Sequence, residues 1–353
     1  MPTIALVGAG AAGAALAVEL VRRGCRDIVL FDADPGVREA FVRSGGLAFD
    51  GFCGAGLLAD LRWADSLEEA VAEADCVVAT ITSDRHQELG RQLAPFVRSQ
   101  HLIVLHTGYV GGCRVLLDGL REGGCASPPH LAETINTLHL AGARGPCDVF
   151  IKGRKRWLEI TGLTPEATRR ALERLSPAIP ELAPGRCTLE TGLNNPNPIG
   201  HVPALVGNLG LLGRDLGTAS QGMLQFDELR STPVQALCEA FDRERTAVME
   251  ALGLAPAPIA EFIPRAYGPQ DRLSGALPRF GTKLLPRFFD EDVAAACVPI
   301  ESLGQLAGTS TPVTTSLIDI CDVAARRSFR QEGRTVATLG SGWIDSELRA
   351  VRS

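Results

Sequence analysis

The chain is poor in lysine and carries no excess of positive charge. Its only lysines are Lys152, Lys155 and Lys283, so almost all of its positive charge is arginine. The formal net charge is −6, whereas proteins that bind nucleic acid or anionic membranes need a basic face. We therefore expect neither nucleic acid nor a membrane among its partners.

The cysteine pattern lacks the spacings of metal and redox sites. Ten cysteines are scattered singly, and no two have C-x-x-C spacing. His101 and His106 are close in sequence, but no cysteine or acidic cluster accompanies them, so we place them at the ends of a strand. The sequence predicts no metal site. Isolated cysteines in a long chain are typical of a reduced, cytoplasmic protein.

Long uninterrupted apolar runs are also missing. No stretch reaches the roughly 18 apolar residues of a membrane span. The uncharged stretch from residue 4 to residue 18 has the length of a signal sequence, but no basic residue precedes it and three glycines interrupt it. Secretion is therefore the weaker interpretation.

The pattern of apolar residues divides the chain into two parts. A chain of 353 residues is too long for most single cores. In the first part, short apolar runs such as "TIALVGAG" and "HLIVLHTGY" alternate with helical patterns such as "AAGAALAVELVRRG". This alternation predicts βαβ units and a mostly parallel sheet. "CDVFIKG" and "RWLEITGL" predict a further strand pair, and "RCTLET" predicts a last strand.

After Thr191 the pattern becomes helical. Stretches such as "TPVQALCEAFDRERTAVMEALG" carry apolar residues at three- and four-residue spacing, and strand-like runs nearly vanish. We therefore predict an α/β domain over residues 1–190 and an all-α domain over residues 191–353.

A glycine motif opens the first domain. The segment "GAGAAG" has the form G-x-G-x-x-G, follows a predicted strand and begins a predicted helix. The glycines allow a tight turn, a close approach of pyrophosphate to the backbone, and close packing of helix on strand, while the helix N-terminus attracts phosphate. The predicted cofactor-binding residues are Gly8, Ala9, Gly10, Ala11, Ala12 and Gly13.

An acid ends the second predicted strand. Asp32 lies where a carboxylate meets the adenosine ribose hydroxyls of a dinucleotide, so we add it to the cofactor site. A carboxylate repels a 2′-phosphate, which favours NAD(H) over NADP(H). Arg38 lies close enough to clamp such a phosphate, so NADP(H) stays open. The alternative is that the glycines serve packing alone and Asp32 is an ordinary loop acid.

One histidine stands where a loop becomes a helix. "NNPNPIGH" begins the helical domain and should line the cleft between the domains, where ligand sites concentrate. Histidine is the side chain best suited to donate a proton near physiological pH, and a carboxylate commonly orients such an imidazole, so His201 is the candidate proton donor. The alternative is a histidine that caps the helix and bonds only to backbone.

The segment "PRFFDEDV" supplies candidate partners. It places Arg287 beside three acids. An arginine can hold a substrate carboxylate in a bidentate fork, and one of the acids can orient His201. Spacing alone does not select the acid, and a solvated charge cluster at a helix start is the alternative.

Taken together, the chain resembles the opine dehydrogenases, the octopine and nopaline dehydrogenase family, nearly end to end. The resemblance rests on "HTGYVGGCRVLLDGL", "LAETINTLHLAGAR", "NPIGHVPALVGNLG" and "RFFDEDVAAACVPIESLGQLAGTSTPVTTSLIDI". It implies a Rossmann domain followed by a helical domain of the 6-phosphogluconate-dehydrogenase-like type. The implied reaction is the reductive condensation of a primary amine with a 2-oxo acid, driven by a reduced nicotinamide cofactor.

The resemblance also implies roles for individual residues. His201 corresponds to the catalytic histidine and Asp292 to its acid, while Arg287 and Thr134 correspond to substrate-binding positions. The chain departs from the family pattern at His139 and Leu140, where a proline and an aromatic residue are usual, and at Ala294, where a proline is usual.

Two other functions remain open. A simple 2-oxo-acid reductase, of the ketopantoate reductase or hydroxyisobutyrate dehydrogenase kind, shares the architecture but usually places a lysine at the start of its second domain, where this chain has His201. A non-catalytic protein that senses NAD(H) is the second alternative. Apolar helices such as "TTSLIDICDVAA" are compatible with a homodimer through the helical domain.

Overall fold

The computed structural model describes residues 2–212, 229–268, 270–271 and 288–352. The strands are β1 (Ile4–Val7), β2 (Ile28–Phe31), β3 (Leu47–Gly51), β4 (Gly56–Leu58), β5 (Arg62–Trp63), β6 (Cys76–Ala79), β7 (Leu102–Leu105), β8 (His130–Thr134), β9 (His139–Gly145), β10 (Asp148–Arg154), β11 (Leu158–Gly162) and β12 (Leu182–Pro184).

Helices flank these strands in the first half of the chain and make up the rest of the described second half. The α-helices are α1 (Ala11–Arg22), α2 (Pro35–Ser44), α3 (Leu67–Val71), α4 (His86–Leu93), α5 (Gly112–Glu122), α6 (Pro165–Leu175), α7 (Thr188–Leu193), α8 (Asn197–Gly207), α9 (Leu209–Leu212), α10 (Thr232–Ala251), α11 (Ile259–Ala266), α12 (Val298–Ala307), α13 (Pro312–Ala325), α14 (Phe329–Glu332), α15 (Val336–Leu339) and α16 (Ser341–Ala350). A 3₁₀ turn spans Ser83–Arg85, and a π-helix spans Phe288–Cys297.

The main sheet has eight strands in the order β12-β11-β8-β7-β6-β1-β2-β5. All neighbours are parallel except β8 and β11. Alternate residues of β1 enter different cores: Ile4 and Leu6 pack in one buried cluster, Ala5 and Val7 in another. A sheet covered on both faces explains why its strands are continuous apolar runs. The predicted Rossmann-type fold with a mostly parallel sheet is confirmed.

A second sheet, in the order β4-β3-β10-β9, was not predicted. The prediction that "CDVFIKG" and "RWLEITGL" pair with each other is wrong, because β10 pairs with β3 and β9 whereas β11 pairs with β8 and β12. Both segments do form strands. Their short apolar runs predicted the strand conformation, but partner choice is a long-range property that the runs do not encode.

The predicted last strand "RCTLET" is also wrong, since this segment starts α7. The Cys187 side chain accepts the Glu190 N–H and so caps the helix, and Arg186 pairs with Glu190 one turn later. The last strand is β12, which ends at Pro184, and the described elements beyond it are helical. A boundary near residue 190 stays a prediction.

The helical part has its own core. Phe241, Val248, Ile300 and Phe329 are among its buried members, and Val110, which follows β7 in the first domain, packs with them. Within the ranges given above, no helix combines the length and the apolar character that crossing a bilayer would require.

The tight β1–α1 turn gives a stability prediction. A Cβ added at Gly13 would lie 1.9 Å from the carbonyl oxygen of Gly8, whereas one added at Gly10 would have no atom within 4 Å. We expect Gly13→Ala to lower the free energy of unfolding by about 1–3 kcal/mol, as overpacking does. The matched control Gly10→Ala should change it little. Thermal or denaturant unfolding measures both, and equal stability of the two variants would contradict this account of the turn.

Candidate active site

The glycine loop has the form that a dinucleotide requires. Gly8 has a left-handed φ of +106°, and the Thr80 hydroxyl donates a hydrogen bond of 2.7 Å to its carbonyl oxygen. Gly13 packs directly on Gly8, while the space in front of Gly10 is open. Open space at the second glycine, next to the N-terminus of α1, fits a pyrophosphate. The predicted loop, residues 8–13, thus suits NAD(P).

Asp32 lies directly after β2. Its Oδ2 accepts the Ala9 N–H at 2.7 Å, and its Oδ1 accepts the Asp34 N–H at 2.9 Å. The carboxylate is therefore fixed beside the glycine loop. Arg38 forms an ion pair of 2.5 Å with Asp65, so its guanidinium is engaged by a carboxylate.

A cavity of about 180 Å³ extends from the glycine loop toward the helical domain. Residues 10–12 line it, as do residues 80–82, which follow β6. Tyr109, Asn197 and Glu291 also face it, and the last two come from the helical part of the chain. The cavity is therefore built from both parts, as expected for a cleft between a cofactor domain and a second domain.

The predicted histidine and acid lie together, and the acid contacts Tyr109, which lines this cavity. His201 Nδ1 is 2.9 Å from Asp292 Oδ2. The Asp292 side chain is 1% exposed and the His201 side chain 23% exposed. The Phe288 ring packs on the imidazole with 4.8 Å between ring centroids. An imidazole held through Nδ1 by a carboxylate directs Nε2 away from it and is stabilised as a cation when protonated.

Tyr109 completes this arrangement and was missed by sequence reasoning. Its hydroxyl donates a hydrogen bond of 3.1 Å to Asp292 Oδ1. The residue is buried and has a left-handed φ of +59°, which is rare for an aromatic residue and persists only where the surroundings impose it. The only signal in the sequence is a tyrosine inside the glycine-rich turn "HTGYVGG".

The turn that carries Tyr109 is held by buried polar groups. Arg334 donates to the carbonyl oxygens of Gly108 at 3.2 Å and Val110 at 2.8 Å. The Glu133 carboxyl accepts the Cys113 N–H at 2.8 Å, and burial raises the pKa of Glu133 to about 8. These contacts come from the helical part and from β8, so the turn is fixed from two sides.

Thr134, a predicted substrate contact, lies buried at the end of β8. Its hydroxyl donates to the Asn136 carbonyl oxygen at 2.8 Å and lies 3.1 Å from His106 Nδ1. The Leu138 N–H donates to His106 Nε2, so Nδ1 carries the proton that Thr134 accepts. Burial lowers the pKa of His106 to about 3, which keeps the ring neutral. A role for Thr134 in binding the oxo acid stays a prediction.

The three consecutive acids of "FDED" have different positions. Asp290 pairs with Arg327 near the surface, Glu291 lines the cavity, and Asp292 contacts His201. Spacing could not choose among them, and the acid implied by the family resemblance is the one that meets the imidazole. Arg287 lies outside the described residues.

One group of ligand-type side chains lies away from this cleft. Glu19, Cys53 and His139 have donor atoms within 4.8 Å of one another. The Glu19 carboxylate is already bonded to Arg23 at 2.5 Å and Arg154 at 2.7 Å. Burial would raise the pKa of Glu19, but the bond to His139 and the two arginine charges lower it to about 2. His139, where the family usually has proline, therefore belongs to a buried ion-pair cluster.

Comparison with known proteins identifies both parts of the chain. Residues 185–325 match the family model of the NAD/NADP octopine/nopaline dehydrogenase alpha-helical domain. Residues 3–109 match the NAD binding domain of 6-phosphogluconate dehydrogenase. An opine dehydrogenase from Arthrobacter sp. (strain 1C) is 27% identical over 360 residues, which cover 99% of this chain and 98% of that protein.

Solved structures show the same fold. An octopine dehydrogenase in complex with NADH and agmatine has a TM-score of 0.69 at 16% identity, over 99% of this chain and 98% of that one. A yersinopine dehydrogenase with NADP⁺ has a TM-score of 0.64 at 14% identity, over 100% of this chain and 99% of that one. A ketopantoate reductase from Ralstonia eutropha has a TM-score of 0.63 at 19% identity, over 92% of this chain and 98% of that one. The helical part of the chain is therefore similar to the octopine and nopaline dehydrogenase family model, and the whole chain is similar to an opine dehydrogenase over nearly its full length.

Proposed function

We propose that the protein is an opine dehydrogenase that condenses the amine of an amino acid, or another primary amine, with a 2-oxo acid such as pyruvate. The product is a secondary amine that carries two carboxyl-bearing arms. The observation that carries this proposal is the hydrogen-bonded pair of His201 and Asp292 beside a cavity that starts at the glycine loop. Octopine dehydrogenase structures that contain agmatine, L-arginine or pyruvate support the substrate classes.

The glycine loop and Asp32 would hold the reduced nicotinamide cofactor, which supplies the hydride for the reduction. The N-terminus of α1 offers its N–H groups to the pyrophosphate. The fixed Asp32 carboxylate meets the adenosine ribose and disfavours a 2′-phosphate there. We therefore favour NAD(H) over NADP(H).

His201 handles the protons of the condensation. Protonated at Nε2, it polarises the keto oxygen of the oxo acid while the neutral amine attacks the adjacent carbon. The attacking nitrogen then returns a proton to the imidazole, and His201 donates it to the carbinolamine hydroxyl, which leaves as water and gives the iminium that is reduced. Asp292 orients the imidazole and stabilises its cation. General acid–base catalysis of this kind contributes about two to four powers of ten in rate.

Substrate binding rests on two further residues. In the proposal Arg287 grips the carboxylate of the oxo acid, since a guanidinium fork matches a carboxylate. Thr134 contributes to the wall beside the oxo acid. Holding amine, oxo acid and cofactor in one cleft supplies much of the acceleration through proximity.

A simple 2-oxo-acid reductase is the second candidate, because a ketopantoate reductase shares the fold. The lysine typical of that class is missing from the start of the helical domain. Lys155 is buried, and its ammonium donates to the Thr137 carbonyl oxygen at 2.6 Å. A protein that senses NAD(H) without catalysis is the third candidate, and the assembled His201–Asp292 pair counts against it.

A substrate panel separates these functions. We expect NADH oxidation, followed by absorbance, to require both an amine and a 2-oxo acid, with the secondary amine detected by mass spectrometry. Oxidation at an equal rate with the oxo acid alone would establish the simple reductase. Tight NADH binding without turnover across the panel would establish the sensor.

The catalytic assembly gives a graded series of variants. We expect His201→Ala and Asp292→Asn to lose at least about a hundredfold in turnover while NADH binding, measured by fluorescence, is retained. Tyr109→Phe removes the hydroxyl that bonds Asp292 but leaves the carboxylate and its bond to His201, so its turnover should fall less than that of Asp292→Asn. A His201→Ala enzyme with near-normal turnover would refute the assignment, and loss of NADH binding in the same variant would indicate a structural defect instead.

Cofactor choice gives a separate prediction. The wild-type protein should have a lower Michaelis constant for NADH than for NADPH, because the Asp32 carboxylate repels the 2′-phosphate. Asp32→Asn should reduce this preference by removing the charge. Asp65→Asn releases Arg38 from its ion pair. It should lower the Michaelis constant for NADPH and leave the Michaelis constant for NADH unchanged. A wild-type preference for NADPH would overturn the assignment of Asp32.

Assembly and location stay predictions. A homodimer through the helical domain is proposed from its apolar helices, and the exposed Val323 on α13 is compatible with it. Neither nucleic acid nor a membrane is proposed as a partner, and a cytoplasmic location is proposed from the cysteine pattern.

A further inference from the structure

Three asparagines join the end of β8 to the start of α8. The Asn136 Nδ2 donates to Asn197 Oδ1 at 2.9 Å and lies 3.5 Å from Asn195 Oδ1. Asn195 Oδ1 also accepts the backbone N–H of Asn197 at 3.1 Å. Asn195 therefore accepts a backbone N–H from the first turn of α8. The side chain of Asn197 is not needed to cap its own helix.

Backbone geometry fixes which way these amides face. The Thr137 N–H donates to Asn136 Oδ1 at 2.7 Å, and a backbone N–H can only donate. The other end of the Asn136 amide must then be its NH₂ group, so the Asn197 atom that meets it must be the acceptor Oδ1. The Asn197 Nδ2 consequently points away from Asn136, and it makes no hydrogen bond within the described part of the chain.

Asn197 lies both on the cavity and on the helix that carries His201. It lines the cavity together with the glycine loop, Thr137 and Glu291. It precedes His201 by four residues on α8, so the two side chains share a face and lie about 6 Å apart along the helix axis. A donor with a fixed direction therefore stands one turn from the imidazole, at the edge of the cofactor loop.

We infer that Asn197 is a binding residue whose amide N–H donates to an sp² oxygen of a reactant in the cleft. Two reactants present such an oxygen near His201: the carboxylate of the 2-oxo acid and the carboxamide of the nicotinamide. The inference rests on the proposed function for the identity of these reactants. Asn136 is the positioning residue that holds Asn197 in the donating orientation.

Binding measurements test this without depending on turnover. Asn197→Asp keeps the acceptor for Asn136 and replaces the donor by an oxygen that repels another oxygen. We expect a dissociation constant raised about tenfold or more, for NADH by fluorescence titration or for pyruvate added to the NADH complex by calorimetry. A rise for pyruvate alone identifies the oxo acid, and a rise for NADH identifies the carboxamide. Values within twofold of wild type for both ligands would overturn the inference.

A second variant tests the orientation itself. Asn136→Asp still accepts the Thr137 N–H but cannot donate, so the Asn197 amide should turn its NH₂ toward residue 136 and lose its donor to the cleft. The same dissociation constant should rise, and the double variant should be no worse than the more impaired single variant. An unaffected Asn136→Asp protein would overturn the proposed positioning role.

Asn208→Asp is the matched control. It makes the same chemical change at the other end of α8, where Asn208 Nδ2 donates to the carbonyl oxygens of Ala204 and Leu229. Its thermal stability should fall while both dissociation constants stay near wild type. Ligand binding weakened equally by this control would show that the effect is structural and would overturn the assignment of Asn197. If Asn197→Asp weakens binding but no amine is consumed by the wild-type enzyme, the inference stands and the proposed reaction fails.

Discussion

The candidate site depends on the hydrogen bonds made by the buried carboxylate of Asp292. A charge taken out of water is stable only when it is paired and hydrogen-bonded. Here His201 bonds one oxygen and Tyr109 the other. The histidine comes from α8, near the start of the helical part, and the tyrosine from a turn after a strand of the main sheet. The carboxylate is therefore satisfied only when the two parts of the chain are in this relative position.

The second partner requires an unusual backbone. Tyr109 has a left-handed φ, which costs about 1–3 kcal/mol for a residue without special local stabilisation. Hydrogen bonds from neighbouring buried groups offset this cost. Arg334 binds the carbonyl oxygens on both sides of Tyr109, and the Glu133 carboxyl binds the start of α5. Buried polar groups thus fix the direction of the tyrosine hydroxyl, and this hydroxyl in turn helps to orient the Asp292 carboxylate.

The sequence predicted those features that local rules encode. The glycine motif, the acid after β2 and the strands of the main sheet follow from turn chemistry and apolar runs. The segment at Cys187 was assigned wrongly because six residues are too few to separate a short helix from a strand. The contact of Tyr109 with Asp292 could not be predicted, since the two residues lie 183 positions apart. The contacts of Asn136 with Asn195 and Asn197 could not be predicted either, since they join residues about 60 positions apart. Selecting Asp292 among three adjacent acids needed the family resemblance.

The tandem acids show how one segment serves two tasks. Glu291 and Asp292 are neighbours on the π-helix that spans Phe288–Cys297, and adjacent residues on any helix point in different directions. Glu291 faces the cavity that begins at the glycine loop, while Asp292 faces His201. The segment is buried along most of its length and packs against α8 and α12. A displacement of this segment would therefore move a wall of the cavity and the carboxylate that holds the His201 imidazole together. π-Helical segments are rare and concentrate at functional sites, and here the segment brings one carboxylate to the cavity and the next to His201.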